Sequence, residues 1–394
     1  MIIHSVKSGE TMYDIAREYC ISPRALASQN GLYEGARLYE GEELTVVIPT
    51  RTATVRRGEN IDAISKRFGV KESELLSLNP ELRGKNGVYY GQSLAIKKDP
   101  CLYGTGALNG YFYRGCPKDK LTAAMPYLCI ITLSAGVAEG GSLRLLMRDN
   151  ELVEYINGCG RGALLRVYIE KMPTGNETDS LSDAIAIYLG SSDYMGATLS
   201  LPKEKTSEGE LAELVLKIKK KLMDIDKILL TEGESEKKNS HALYADGCIL
   251  YCDKIQKKEP PSFLEYERDE VEKFVREGEC TGVFLDISPF ALYGEKYITE
   301  EEARAVLLKR NSGVIYDRET GISRCRYAGR KGQPLVYESI SNTVNKAKLV
   351  GEYALAGLSL DIARTGQKKY TAISSTLNLC TDPGMMSFIN FGIK

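Results

Sequence analysis

Val6-Lys7-Ser8-Gly9-Glu10-Thr11 returns 49 residues later as Val55-Arg56-Arg57-Gly58-Glu59-Asn60, and the likeness runs on past both hexads. Ile15-Ala16, Tyr19, Leu26, Asn30-Gly31, Gly41 and Leu44 follow the first copy. Ile64-Ser65, Phe68, Leu75, Asn79-Pro80, Gly91 and Leu94 follow the second. The offset is 49 up to Asn30 and 50 from Gly41 onward, so one residue has been added in a loop. Matches at a fixed period mark a duplicated supersecondary unit. In each copy a short strand ends at a glycine turn, and Thr11 or Asn60 caps the helix that follows. Ile15 and Tyr19, or Ile64 and Phe68, stand four apart and form its buried stripe. A second short helix opens at Ser22 or Lys71-Glu72 and carries Leu26 or Leu75. The closing strand is 43–48 or 93–96. Each unit therefore reads βααβ with its two strands paired, over residues 1–49 and 50–98.

Lys97-Lys98-Asp99-Pro100 reads as a linker. Beyond it, apolar runs alternate with helical segments, the pattern of a parallel sheet or barrel. Eight runs qualify as strands: 107–113, 127–134, 163–170, 194–201, 227–232, 247–252, 282–287 and 356–361. Helices are predicted at 150–157, 208–223, 267–277 and 342–353. Eight strands with helical crossovers give a (β/α)8, TIM-type barrel over residues 105–380. The stretch 295–340 is too long for a loop and reads as an α+β insertion between strands seven and eight. It holds a helix at 299–309 and a hairpin through 314–317 and 324–327. Residues 381–394 are left as a tail.

The totals exclude several classes. A formal net charge of −1 over 394 residues gives no electrostatic footprint for nucleic acid or a polybasic membrane anchor. No run approaches the apolar length of a membrane span, and the start lacks a basic n-region and apolar core, so synthesis and folding in the cytosol are expected. The ten cysteines include no CxxC pair and several lie inside apolar runs, as buried free thiols do. With two histidines in the chain, His4 and His241, no Cys/His zinc site is expected, and neither a metal nor a cofactor is implied.

At these motifs each front copy resembles a LysM module. The first keeps Gly9-Glu10-Thr11, Ile15-Ala16, the Leu26 to Asn30-Gly31 junction and the Tyr39-x-Gly41-x-x-Leu44 close. The resemblance implies binding of N-acetylglucosamine glycan, such as peptidoglycan, in a groove between the first strand–helix loop and the loop after helix two. Carried over, that groove would be Gly9, Glu10, Thr11, Met12, Asn30, Gly31 and Leu32 in the first module. In the second it would be Gly58, Glu59, Asn60, Ile61, Asn79, Pro80 and Leu82. The rest of the chain resembles the family-18 glycoside hydrolase barrels that follow two LysM modules in endospore formers. Leu108-Asn109-Gly110-Tyr111-Phe112, Tyr194-Met195-Gly196, Ile298-Thr299-Glu300-Glu301-Glu302-Ala303 and Val336-Tyr337-Glu338-Ser339 carry that likeness.

The family's chemistry sits on strand four as DGxDxDxE, where the Glu protonates the glycosidic oxygen and the preceding Asp steadies the substrate's acetamido group. Alternate spacing matters because side chains at i, i+2 and i+4 share the interior face. Here the strand reads Met195-Gly196-Ala197-Thr198-Leu199-Ser200-Leu201-Pro202. Met195, Thr198 and Ser200 stand in the Asp positions and Pro202 in the acid's. None can supply a proton near neutral pH, and general acid catalysis contributes about 10²–10⁴-fold. Strand six lacks the family's Met-x-Tyr-Asp, and strand eight ends Leu358-Ser359-Leu360-Asp361 in a chain with no Trp. The reading is a glycan-binding, spore-envelope protein with an inactive barrel as scaffold, other spore coat proteins being further partners. The alternatives are a rearranged peptidoglycan N-acetylglucosaminidase, with Glu204 and Asp286 as fallback acids, and a barrel that binds glycan without cutting. Glu170, Glu232 and Asp361 also fall at strand ends.

Overall fold

The structure, a computed structural model, describes residues 1–82, 87–101, 103–147, 149–202, 206–234, 239–252, 263–277, 282–289, 291–294, 296–310, 312–317, 322–325 and 334–388. Both front units are βααβ. In the first, strands Ile2–Ser5 and Glu43–Val46 pair antiparallel around helices Met12–Glu18 and Pro23–Gln29. In the second, Arg51–Thr54 and Ser93–Lys97 enclose Ile61–Phe68 and Glu72–Leu78. Thr11 and Asn60 cap their helices as expected, accepting from the backbone of Asp14 and Ala63. The repeat extends to hydrogen bonds. Asn30 accepts from Thr45 N at 2.8 Å and donates to Leu26 and Thr45 carbonyls; Asn79 does the same with Ala95 and Leu75, also at 2.8 Å. One amide thus ties the second helix to the closing strand in each unit, satisfying buried backbone groups where the strand pair ends.

The eight parallel strands run from Thr105–Tyr113 to Gly357–Asp361 and close, strand eight pairing with strand one and strand one with strand two. All eight predicted runs are barrel strands. Their outward side chains pack on the helices, while Ala107, Tyr111, Ile130, Leu164, Leu230, Ile249 and Phe284 fill the interior. Strand two continues as Ile130–Glu139 into a hairpin with Ser142–Leu145, an extension that apolar periodicity did not announce.

The insertion is a five-stranded antiparallel sheet with helix Glu300–Arg310. It begins at Ala291, earlier than the expected 295. Its hairpin pairs Val314–Asp317 with Ile322–Cys325, so the second strand starts two residues before the expected 324, while 326 and 327 lie outside the described residues. The linker is not free either: Lys98 donates to the Ser374 carbonyl and Cys101 Sγ lies 3.5 Å from the same oxygen.

Two sets of buried charges hold the parts together. Glu43, in the first module, accepts from Ile340 N at 2.6 Å and Ser341 Oγ at 2.6 Å, capping helix Ile340–Glu352 of the barrel. Glu42 beside it pairs with Arg304 of the insertion at 2.8 Å. Deeper in, Glu338 lies between Lys346 and Lys369, each 2.7 Å away, and Lys346 reaches on to Glu267 at 2.6 Å. Burial alone would raise Glu338, but the two lysines hold its carboxyl down at about 2.

Two outcomes follow for stability. Glu43→Ala leaves a helix terminus and a serine hydroxyl without their acceptor, and urea denaturation should show a loss of about 2–4 kcal/mol; a change under about 0.5 kcal/mol would mean the module is held by other contacts. Because the folded Glu338 carboxyl lies below its ordinary value of 4.5, its contribution is complete above that pH and fades as pH falls toward about 2. Glu338→Gln should cost about 3–5 kcal/mol at pH 7, measured by denaturation, and should flatten stability over that acid window.

Candidate functional site

The first module carries a groove of about 540 Å³. One wall is the strand–helix turn Lys7–Tyr13, so Gly9, Glu10, Thr11 and Met12 lie there as expected. The turn is held from within: Glu10 accepts from Lys7 N at 2.8 Å and from His4 at 2.9 Å, and Met12 is buried in the module core. Thr11 is engaged with Asp14. What these positions offer outward is mainly backbone and the open face of Gly9, whose φ of +77° favours glycine.

The opposite wall differs from the expectation. Asn30 is 5% exposed and its amide is spent on Thr45 and Leu26, so it cannot meet a ligand. Gly31 is pressed against Gln367 of the barrel, and with Leu32 it lines a separate crevice that also takes in Pro80. The wall is instead Glu34–Glu40, closed at one end by Ser312 and Gly313 of the insertion. Val314 N donates to the Glu40 carbonyl at 2.9 Å, and a Cβ on Gly41 would stand 2.3 Å from Val314 O. The groove is therefore built by two domains, which no local motif could announce. In the second module Asn79 is likewise buried in its clamp and Leu82 belongs to the core. Gly58, Glu59, Asn60 and Ile61 form the corresponding turn, with Glu59 accepting from Arg56 N at 2.7 Å.

The barrel opens at the carboxyl ends of its strands into a cleft of about 830 Å³. Strand four spans Gly196–Ser200, with Ala197 and Leu199 packed outward against helices, Thr198 fully buried and Met195 touching the barrel interior; Ser200 reaches the cleft, as do Leu201 and Pro202 just beyond the strand's end. The Thr198 hydroxyl has no hydrogen-bond partner among the described residues. Glu204 lies outside the described residues. Glu170 is exposed and does not line the cleft; Glu232, Asp286 and Asp361 do.

Arg166, which the sequence reading passed over, stands beside Thr198 in the neighbouring strand. It pairs with Glu232 at 2.6 Å, donates to Tyr168 at 2.8 Å and lies 4.7 Å from the Tyr111 ring centre. Tyr111 donates to Glu232 at 2.9 Å and receives Tyr251 at 2.8 Å. A cation with tyrosines thus occupies the middle of the mouth. The available signal was parity: Leu164, Arg166 and Tyr168 share the inward face of strand three. Burial pushes Asp286 up to about 7 against its hydrogen bonds from Ser288.

The LysM domain model matches residues 4–47 and 53–97. The endolysin of Bacillus phage B103 is 30% identical over 99 residues, 24% of this chain and 38% of that protein, so the match spans well under half of the relative's length. The spore cortex-lytic enzyme SleL of Bacillus megaterium QM B1551 superposes with a TM-score of 0.73 at 15% identity, over 96% of this chain and 98% of SleL. A chitinase from Chromobacterium violaceum ATCC 12472 superposes at 0.59 and 13% identity, over 69% of this chain and 98% of the chitinase. At such identities the likeness is one of fold. The chain is therefore a tandem-LysM protein whose remaining three quarters take the closed barrel fold of SleL and the chitinases.

Proposed function

We propose that this protein grips N-acetylglucosamine-containing glycan, such as peptidoglycan, through its two LysM domains, and that its barrel serves as a scaffold or binding surface and does not cleave by the family-18 route. The module-one groove supports the binding half, since its exposed turn amides and small side chains suit acetamido oxygens and methyl groups. Pro202 carries the second half: it lines the cleft at the position where the resemblance calls for the proton donor, above Ser200 and buried Thr198. With no carboxylate in that ladder, neither protonation of the leaving oxygen nor support of the acetamido group is available from strand four. The likeness in fold to SleL, a spore cortex-lytic enzyme, supports a spore-envelope glycan as the ligand.

A second reading rests on Asp286. A carboxyl near 7 in a cleft is poised as a general acid, so a relocated acid could restore hydrolysis. The two readings part cleanly. Purified protein should bind cortex peptidoglycan and release no reducing ends; release abolished by Asp286→Asn would establish the relocated enzyme. The same variant has a pH signature. Because Asp286 is raised when folded, its contribution to stability is complete below its ordinary 3.8 and is lost as pH rises through about 7. Asp286→Asn should therefore lose less stability between pH 4 and about 7 than the parent, read from melting temperatures.

Two tethered sites gain from effective concentration, and avidity can exceed either affinity by about 10²–10⁴. Gly35 lines the first groove with an ordinary φ, so Gly35→Trp should fill it. Binding to polymeric glycan should fall about 10²-fold or more, while calorimetry with a short oligomer should show one site lost and the other unchanged. Equal losses on both ligands would count against bivalent engagement.

A further inference from the structure

In each LysM domain a carboxylate holds the strand–helix turn from within, and the two domains secure that carboxylate with different partners. Glu10 accepts from Lys7 N at 2.8 Å and Glu59 from Arg56 N at 2.7 Å, the same bond at the same place in the repeat. In the first domain the partner is His4 of the opening strand, 5% exposed. Its Nε2 lies 2.9 Å from Glu10 Oε2, and its Nδ1 lies 3.0 Å from the Tyr19 hydroxyl. In the second domain the partner is Arg67, near the end of the first helix and 3.1 Å from Glu59. Its guanidinium lies 4.5 Å from the Phe68 ring centre and also donates to Thr54 O.

The offset of 49 residues puts Ala53, Arg67 and Phe68 at the positions of His4, Glu18 and Tyr19, so three differences go together. Where the strand supplies an imidazole, the helix end supplies a phenol for its second nitrogen. Where the strand has alanine, the helix supplies a guanidinium and a ring for it to lie on. Two unrelated side chains that meet the same carboxylate mark the cation as what the turn needs. Burial would raise Glu10, but the Lys7 amide and His4 hold its carboxyl below its ordinary value, so it stays ionised wherever an imidazole changes charge. Burial raises the Tyr19 phenol, and so do the charge and hydrogen bond of Glu18. A phenol whose proton goes to that carboxylate leaves the ring only an oxygen lone pair, so both ring nitrogens donate, as in imidazolium. The other charges nearby are placed differently. Lys7 Nζ is exposed and 4.0 Å from Glu10, and Asp14 pairs with Arg17 on the open side of the helix. Across the strand pair, Glu42 and Glu43 turn away to Arg304 and to the Ile340 amide.

We infer that His4 and Arg67 are the positioning residues of the two glycan-facing turns, and that the first domain grips its ligand through a turn set by imidazolium while the second relies on a permanent charge. The inference rests on the glycan reading of these turns and adds to it that two domains alike in fold respond differently to pH. Imidazole changes charge between about pH 5 and 8, whereas guanidinium does not. As pH rises, a neutral ring keeps one N–H for Glu10 and gives up the charge, and charge-assisted hydrogen bonds are roughly twice as strong as neutral ones. The wall of the first groove that starts at Lys7 then loosens, while the Arg56–Glu59 turn keeps its hold.

The test is calorimetry on the full chain with the N-acetylglucosamine tetramer at about pH 5.5 and about pH 8.5, paired with amide NMR over the same range without ligand. One of two sites should weaken about three- to tenfold at the higher pH while the other holds. Gly35→Trp should remove the pH-dependent site. His4→Gln should bind at the lower pH as the parent does at the higher one, with a flat profile. The second domain's set placed in the first, His4→Ala with Glu18→Arg and Tyr19→Phe, should restore full affinity at both values. In the free protein the Lys7–Glu10 amides should titrate and the Arg56–Glu59 amides should not, and His4→Gln should abolish the titration. Two sites with one common pH response, or Lys7–Glu10 amides that stay still or still titrate in His4→Gln, would overturn the proposal. No glycan bound at either pH would sink the glycan reading instead, and the amide titration would still decide the role of His4. If the triple variant does not fold, His4→Gln and the parent's amides decide.

Discussion

Glu338 is the carboxylate on which the assembly of this molecule turns. It sits at the end of an insertion strand, 1% exposed, with lysines from two barrel helices on its oxygens. Breaking a buried pair of this kind costs about 3–5 kcal/mol, a large share of a domain's marginal stability, so the contact couples the insertion to both helices. Helix Ile340–Glu352 starts immediately after Glu338, and its free N-terminal amides are taken by Glu43 of the first LysM domain. A single stretch of chain therefore seats the insertion, orients the last crossover helix and fixes the front module. The composite groove is a consequence, since Ser312 and Gly313 can reach the module only when these pieces are locked.

The barrel mouth has an uncharged fourth strand between two charged neighbours. Thr198, Ser200 and Pro202 present no charge to the cleft. Charge stands on the adjacent strands, with Arg166 on strand three and Glu232 on strand five bound to each other and framed by tyrosines. Such a pair is self-satisfied and poorly suited to donating a proton. Asp286 and Glu267 lie to one side, and burial pushes both carboxyls up to about 7, in Glu267 against its pairing with Lys346.

Much of this was legible in the primary structure, for identifiable reasons. The duplicated βααβ units could be read because Gly9 and Gly58, Thr11 and Asn60, and Ile15 and Ile64 satisfy purely local rules of turn, cap and stripe. The eight barrel strands could be read because interior strands of a parallel barrel are apolar on both faces and stand out as short runs. Strand four could be placed because its apolar run is local, and Pro202 falls at the cleft just past its carboxyl end. The groove wall at Asn30 could not be placed correctly: an asparagine after a helix looks the same whether it faces a ligand or clamps Thr45.

What the sequence determined by itself was the repeat, the barrel and the uncharged run along strand four, because each depends on residues close in the chain. What only the tertiary structure decided was how separated charges meet: Glu43 with Ile340, Glu338 with Lys346 and Lys369, Arg166 with Glu232, and Ser312 beside the module groove. Apart from Glu338 and Lys346, those partners lie tens to hundreds of residues apart. Pairing energy between them depends on distance and on exclusion of water, and neither quantity exists until the chain has closed.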